Sequence, residues 1–202
     1  MQIKQIMFSK ITIFFAMILS ALLSACSPAL DWRTVRADDL LYEALYPGKP
    51  SRAEKTILFD GQKITMTIEA SKAGDALYAV SVISISKELA KQVDVKTLVD
   101  YLQTGMLSNL KEAEKPIEAN TSIKTAGQPS YELPAKEWII QGLGPDQKRR
   151  LLRFRVVQRQ LTDGQVQIYQ QSVLQAIKDN TSIDKLIRSD EHEMFFTGFK
   201  PY

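Results

Sequence analysis

The most concentrated charge in this 202-residue chain is the run Lys148, Arg149, Arg150, Arg153, Arg155 and Arg159. On an extended backbone Arg149, Arg153, Arg155 and Arg159 share one face, while Leu152, Phe154 and Val156 share the other. A row of guanidinium groups can grip lipid phosphates or a carboxylate-bearing polymer, because each planar fork makes two parallel hydrogen bonds to such an anion. The same row can equally form the solvated face of a sheet, or pair with acids on a neighbouring strand. The solvated or paired face is the expectation here, and anion binding by the row is the alternative.

The only histidine, His192, stands in Asp190-Glu191-His192-Glu193, with Asp184 upstream. Imidazole and carboxylates together suit a divalent metal. Successive helical residues point about 100° apart, so Glu191, His192 and Glu193 cannot converge on one ion. Acids early in a helix are what its dipole favours, and no metal site is expected. His192, Phe195, Phe196 and Phe199 recur at helical spacing, the pattern of a terminal helix docking on a core. There is no Gly-x-Ser-x-Gly elbow, and Gly142-Leu143-Gly144 lacks the Lys-Ser/Thr of a phosphate loop. The reading is a non-enzyme with no catalytic residues and no cofactor.

Residues 1–25 contain Lys4 and Lys10 and no acid, and Ile11 to Leu23 is apolar apart from Thr12 and Ser20. A basic head followed by a short apolar run is the layout of a secretory signal, too short to favour a permanent membrane span. Directly after it come Leu23, Ser24, Ala25 and Cys26, the last being the only cysteine. This quartet resembles the bacterial lipoprotein lipobox. The resemblance implies removal of residues 1–25 and acyl chains on Cys26, an anchor that several buried chains make essentially permanent. Ser27 in place of Asp implies sorting to the outer membrane, facing the periplasm. Residues 26–31 then form a tether of at most about 20 Å to Trp32, and 32–202 form the domain.

The full chain carries 26 Lys+Arg against 23 Asp+Glu. Removing the leader takes away two lysines and no acid, leaving the charges nearly balanced. Nothing global therefore favours nucleic acid as a partner. A single cysteine also excludes any disulfide framework.

The elements that must hold these residues are mostly strands. Asp60-Gly61 predicts a tight hairpin between 52–59 and 62–69, and Asp163-Gly164 another between 149–161 and 165–174. The span 76–86, apolar on both faces, reads as a central strand. A helix over about 94–114 is capped by Asp94, follows Leu98, Leu102, Met106 and Leu110, and stops before Pro116. Gly105 weakens its middle by up to about 1 kcal/mol relative to alanine. Short strands are expected at 122–126, 130–133 and 136–142, and helix over 182–196. The order predicts an α+β fold, an antiparallel sheet flanked by helices.

Several segments carry a family resemblance. They are Leu45-Tyr46-Pro47-Gly48-Lys49-Pro50, Leu58-Phe59-Asp60-Gly61-Gln62, Ala76-Leu77-Tyr78-Ala79-Val80, Gly127-Gln128-Pro129-Ser130-Tyr131-Glu132, and 193–200 with its Phe195, Phe196 and Phe199. Together they resemble the PsbP-like proteins, whose fold, shared with Mog-type Ran-binding proteins, is an antiparallel sheet between helices. The resemblance implies that fold and an envelope compartment, and it supplies no catalytic residues. The functional expectation is a lipid-anchored envelope protein whose domain binds a protein partner or assists assembly. The alternative is an envelope enzyme or small-ligand or anion binder using the arginine row.

Overall fold

The computed structural model of the protein describes residues 30–178 and 181–202. The apolar leader, Leu23 to Ala25 and Cys26 lie outside the described residues.

The strands are β1 (Arg33–Ala37), β2 (Tyr42–Tyr46), β3 (Ser51–Phe59), β4 (Gln62–Ala73), β5 (Ala76–Ile85), β6 (Ile117–Lys124), β7 (Glu132–Leu143), β8 (Arg149–Gln160), β9 (Val166–Ala176) and β10 (Lys200–Pro201). The helices are α1 (Val95–Leu107), α2 (Ile183–Ile187) and α3 (Asp190–Thr197), with one 3-10 turn at Leu89–Lys91. Seven strands form one antiparallel sheet in the order β3-β4-β5-β9-β8-β7-β6, and β1-β2-β10 form a second.

Both Asp-Gly turns join adjacent antiparallel strands, as expected. Asp60 and Gly61 both have positive φ, 49° and 74°, which closes the hairpin directly between Phe59 and Gln62. That conformation suits glycine and is tolerated by aspartate, so the pair sets the register of β3 on β4. At the second turn only Gly164 has positive φ, and the Leu161 N–H bonds to the Gln165 carbonyl around a longer loop. β5 is central, as expected, flanked by β4 and β9.

The helix-flanked α+β expectation is overturned. Strand makes up 51% of the structure and helix 17%, in two antiparallel sheets. Three local outcomes explain this. The helix expected to reach 114 ends at Leu107, because Lys111 then exchanges two backbone bonds with Leu143 and extends the sheet pairing. The span 182–196 breaks into two short helices, since Ser189 caps a new one by accepting from the His192 N–H. The spans expected at 130–133 and 136–142 are one strand, with β8 pairing beginning at Ala135, just past Pro134. Finally, 33–46 forms β1 and β2, whose alternation of buried Tyr42, Ala44 and Tyr46 is strand periodicity in a segment too short to stand out.

The large sheet separates two cores. On one face α1 packs Leu98 and Leu102 against Ile83, Ile85, Trp138 and Phe154. On the other, Tyr42 and Tyr46 of the small sheet meet Tyr78 and Tyr169 of the large one, with Phe195, Phe196 and Phe199 wedged in. α3 can approach β2 closely because Gly198 has no side chain; a Cβ there would lie 2.5 Å from that of Leu45. Leu102→Ala should lower the unfolding free energy by about 2 kcal/mol or more, for lost burial and a residual cavity. Urea unfolding checks this, and a change under about 1 kcal/mol would show that the α1 face is misassigned.

Candidate functional site

The arginine row is on one face of β8, as its alternation requires, but that face lies inside the molecule at its centre. Arg153 and Arg155 are 8% and 7% exposed, beneath α2 and α3. Arg153 donates to both carboxylate oxygens of Glu137 at 3.1 and 3.4 Å, to Glu193 at 2.9 Å and to the Ile187 carbonyl at 3.1 Å. Glu137 faces it because the β7–β8 register sets residue 137 opposite 155, next to 153 on the same side.

Arg155 has no carboxylate in hydrogen-bond contact. It donates to Gln171 Oε1 at 2.6 Å and to the Phe196 carbonyl. Burial pushes its pKa down to about 10, against the raising influence of Glu137, so it stays protonated at neutral pH. The Phe196 ring sits against both guanidinium groups, 4.2 Å from Arg153 and 5.1 Å from Arg155. This pair thus fastens the C-terminal helices to the sheet through ion pairs, carbonyls and a π face.

The ends of the row are elsewhere. Arg149 is exposed and donates to Gln141 at 3.3 Å. Arg159 is half-buried beside β9, across from Gln167, and its Nη1 has no partner. Ten residues of strand place the two about 33 Å apart along the backbone. The structure therefore brings Arg153 and Arg155 together and leaves Arg149 and Arg159 apart from them. Of the two forms the expectation allowed, Arg153 takes the paired one, with Glu137 on the neighbouring strand, while Arg155 is buried on uncharged acceptors.

His192 is buried, and its Nε2 donates to Gln175 Oε1 at 2.7 Å. Burial, and secondarily the charge of Arg153, pushes its pKa down to about 4. It is a neutral core histidine on the docking face shared with Phe195, Phe196 and Phe199, the arrangement that their spacing predicts. Glu193 turns instead to Arg153. Among the described residues no group of three or more His, Cys, Asp or Glu side chains is placed to hold a metal ion.

Sequence reasoning missed two polar features. In one, Tyr42 donates to Glu69 at 2.5 Å and lies 3.2 Å from Tyr46, all three being buried, and desolvation raises both phenols far above their usual range. The other is the glutamine set of β9. Gln171 bonds Arg155 and the Phe195 carbonyl, and Gln175 bonds His192, but Gln170 on the opposite face is 5% exposed with an unpartnered Nε2. An unsatisfied buried amide costs about 1–3 kcal/mol. Glutamines on both faces of an otherwise apolar strand were the available signal.

Gln170 lines a groove of about 520 Å³ between α1 and the face of β3, β4, β5 and β9. A second hollow of about 610 Å³ lies where the described chain begins, bounded by Leu30, Tyr78, Gln175 and Ser189. Neither Arg153 nor Arg155 lines these hollows, or the three others at Lys136, Leu77 and Gln141.

The fold and site define a mostly-β, two-sheet protein whose arginine pair pins its C-terminal helices. No protein-family model matches the chain, and no curated protein matches it.

Proposed function

We propose that this chain is a lipid-anchored protein of the bacterial cell envelope, held by acyl chains on Cys26 and facing the periplasm from the outer membrane. Its domain binds or assists assembly and does not catalyse. The observation that carries the anchoring is Leu23-Ser24-Ala25-Cys26 placed directly after an apolar run, using the only cysteine. Leu30, the first described residue, lines the second hollow. Among the described residues no helix is long and apolar enough to cross a membrane.

Two features support a binding role over a catalytic one. The sole histidine is sequestered against Gln175, with its proton affinity lowered far below neutrality. The two central cations of the β8 row are occupied by Glu137, Glu193, Gln171 and main-chain carbonyls. A general acid or base needs access to substrate and a pKa near the working pH, and neither group has both.

Expression of the full chain in a bacterium with an intact lipoprotein pathway tests this. Wild type should yield a mature protein beginning at acylated Cys26 that partitions wholly into the detergent phase of a cloud-point separation. Cys26→Ala should accumulate as uncleaved precursor. Mature wild-type protein starting at another residue and carrying no acyl chain would refute the anchor.

A further inference from the structure

Among the described residues the large sheet ends in two open edges, β3 and β6. β3 is guarded by exposed charge: Arg52, Glu54 and Lys55 stand close together, and Arg52 is held by Asp39. β6 is different. It runs from Ile117 to Lys124 in unbroken register with β7, and between Glu118 and Lys124 it carries only Ala119, Asn120, Thr121, Ser122 and Ile123. A flat edge without charge is a template for another strand, and chains that stay apart break such an edge with charge, proline or a bulge.

The direction of its free backbone groups is fixed just past the strand. The Thr125 N–H turns inward to the Tyr131 carbonyl, and the next N–H, that of Ala126, turns outward to the Pro201 carbonyl of β10. Backbone groups alternate along a strand, so Glu118, Asn120, Ser122 and Lys124 aim theirs at the open edge. β10 closes that edge at Ala126, and Pro116 closes it at the other end because proline has no N–H to offer. The free length is β6 itself.

We propose that β6 pairs with β6 of a second copy of this chain, antiparallel about a two-fold axis at Thr121. Residues opposed across an antiparallel pair share a face of the sheet, so such an axis must pass through a residue. Centred on Thr121, it sets Glu118 opposite the partner's Lys124, and Lys124 opposite the partner's Glu118. Asn120 then meets the partner's Ser122, and Ala119 the partner's Ile123. Moving the centre to Asn120 sets Glu118 opposite the partner's Ser122, and moving it to Ser122 sets Lys124 opposite the partner's Asn120. Either shift loses both charge pairs. The edge is self-complementary in one register, which commits it to a second copy. Charge already on that face extends the match: Lys136 is 3.5 Å from Glu118, and Glu132 is opposite Lys124 in β7. Ile117, 62% exposed, gains cover beside the partner's Ile123. One strand pair buries less than the about 1,200 Å² of a stable interface, so the dimer is weak and depends on concentration. The inference goes beyond the anchoring and does not depend on it.

Disulfide trapping at the axis tests this. On the axis, in a pair that exchanges no backbone bonds, the Cα of residue 121 lies about 4.5 Å from the partner's, within the about 4.4–6.8 Å that a disulfide spans. Residue 119 and its own copy are four residues apart in register, about 14 Å along the strand, which is beyond that reach. The concentrated full chain in detergent would be oxidised with copper–phenanthroline in air and run on a non-reducing gel. Wild type, whose sole cysteine is Cys26, gives the background whether or not that residue is acylated. Thr121→Cys should give a reducible dimer at least about tenfold above that of Ala119→Cys. In the Thr121→Cys chain, adding Glu118→Lys should lower the dimer at least about fivefold, and adding Glu118→Lys with Lys124→Glu should restore it. Asn120→Pro removes an outward N–H that β7 does not use, so it should abolish the dimer and leave the melting temperature close to wild type. The inference is overturned if Thr121→Cys stays monomeric, if Ala119→Cys crosslinks equally well, or if the exchanged charges fail to recover the dimer. It is also overturned if the dimer survives Asn120→Pro. Where that variant melts early, the charge exchange alone decides.

Discussion

Arg153→Met is expected to lower the unfolding free energy by about 3–5 kcal/mol, the largest effect anticipated for a single side chain in this protein. The substitution leaves Glu137, whose side chain is only 14% exposed, as a buried carboxylate without its bidentate partner. It also frees the Ile187 carbonyl and Glu193 at the seam between α2 and α3. The cost comes mainly from the stranded charge and less from the lost attraction, because burying an ion pair is itself close to neutral against an apolar pair of equal volume. The double variant Arg153→Met/Glu137→Met should therefore recover most of the loss. Urea unfolding of the two variants and wild type checks this. A single-variant cost under about 1 kcal/mol, or a double variant no more stable than the single, would mean that the pair does not pin the C-terminal helices.

Acidification through His192 is expected to be the second large effect. In the folded chain its pKa is pushed down to about 4, by burial first and by Arg153 second, while Glu191 and Glu193 pull the other way. In the unfolded chain it returns to about 6.5. Between those values the unfolded state binds a proton that the folded state refuses, so stability falls as pH drops through that window and is fully present above it. The loss at pH 4 relative to pH 7 is on the order of 3 kcal/mol from this group. His192→Gln keeps a donor for Gln175 and cannot take up the proton. Its stability should fall less between pH 7 and pH 4 than that of wild type, by about this amount. Parallel pH profiles for the two proteins would show that His192 does not carry the effect.

Much of the backbone plan was legible from local chemistry. Asp60-Gly61 specifies a hairpin because few pairs tolerate two positive φ angles in succession, and the register of β3 on β4 follows. Asp94 specifies where α1 begins, since its carboxylate accepts from the Lys96 N–H. The docking face of α3 was legible from the spacing of His192, Phe195 and Phe196, with Phe199 buried just past the helix end.

What local chemistry leaves open is which element covers which face. The alternation in β8 correctly put Arg149, Arg153, Arg155 and Arg159 on one side, but alternation carries no information about what packs there. Pairing with an acid on a neighbouring strand was among the expectations, but only the register of Glu137 on β7, and the return of α3 across the sheet some forty residues later, decided that Arg153 and Arg155 form a buried clamp. The fold class went astray for the same reason. The span 33–46 has no strong propensity of its own, and it becomes strand because Tyr42 and Tyr46 find Glu69 and the aromatic residues of α3 on the large sheet. The expectation of a leader followed by a lipobox-like quartet rests on adjacent residues alone, which lie outside the described residues. The buried, unpartnered amide of Gln170 became visible only when strands and helix, each ordinary in sequence, closed around it. Burial of a polar group is a property of what surrounds it, and its surroundings are assembled from residues far apart in the chain.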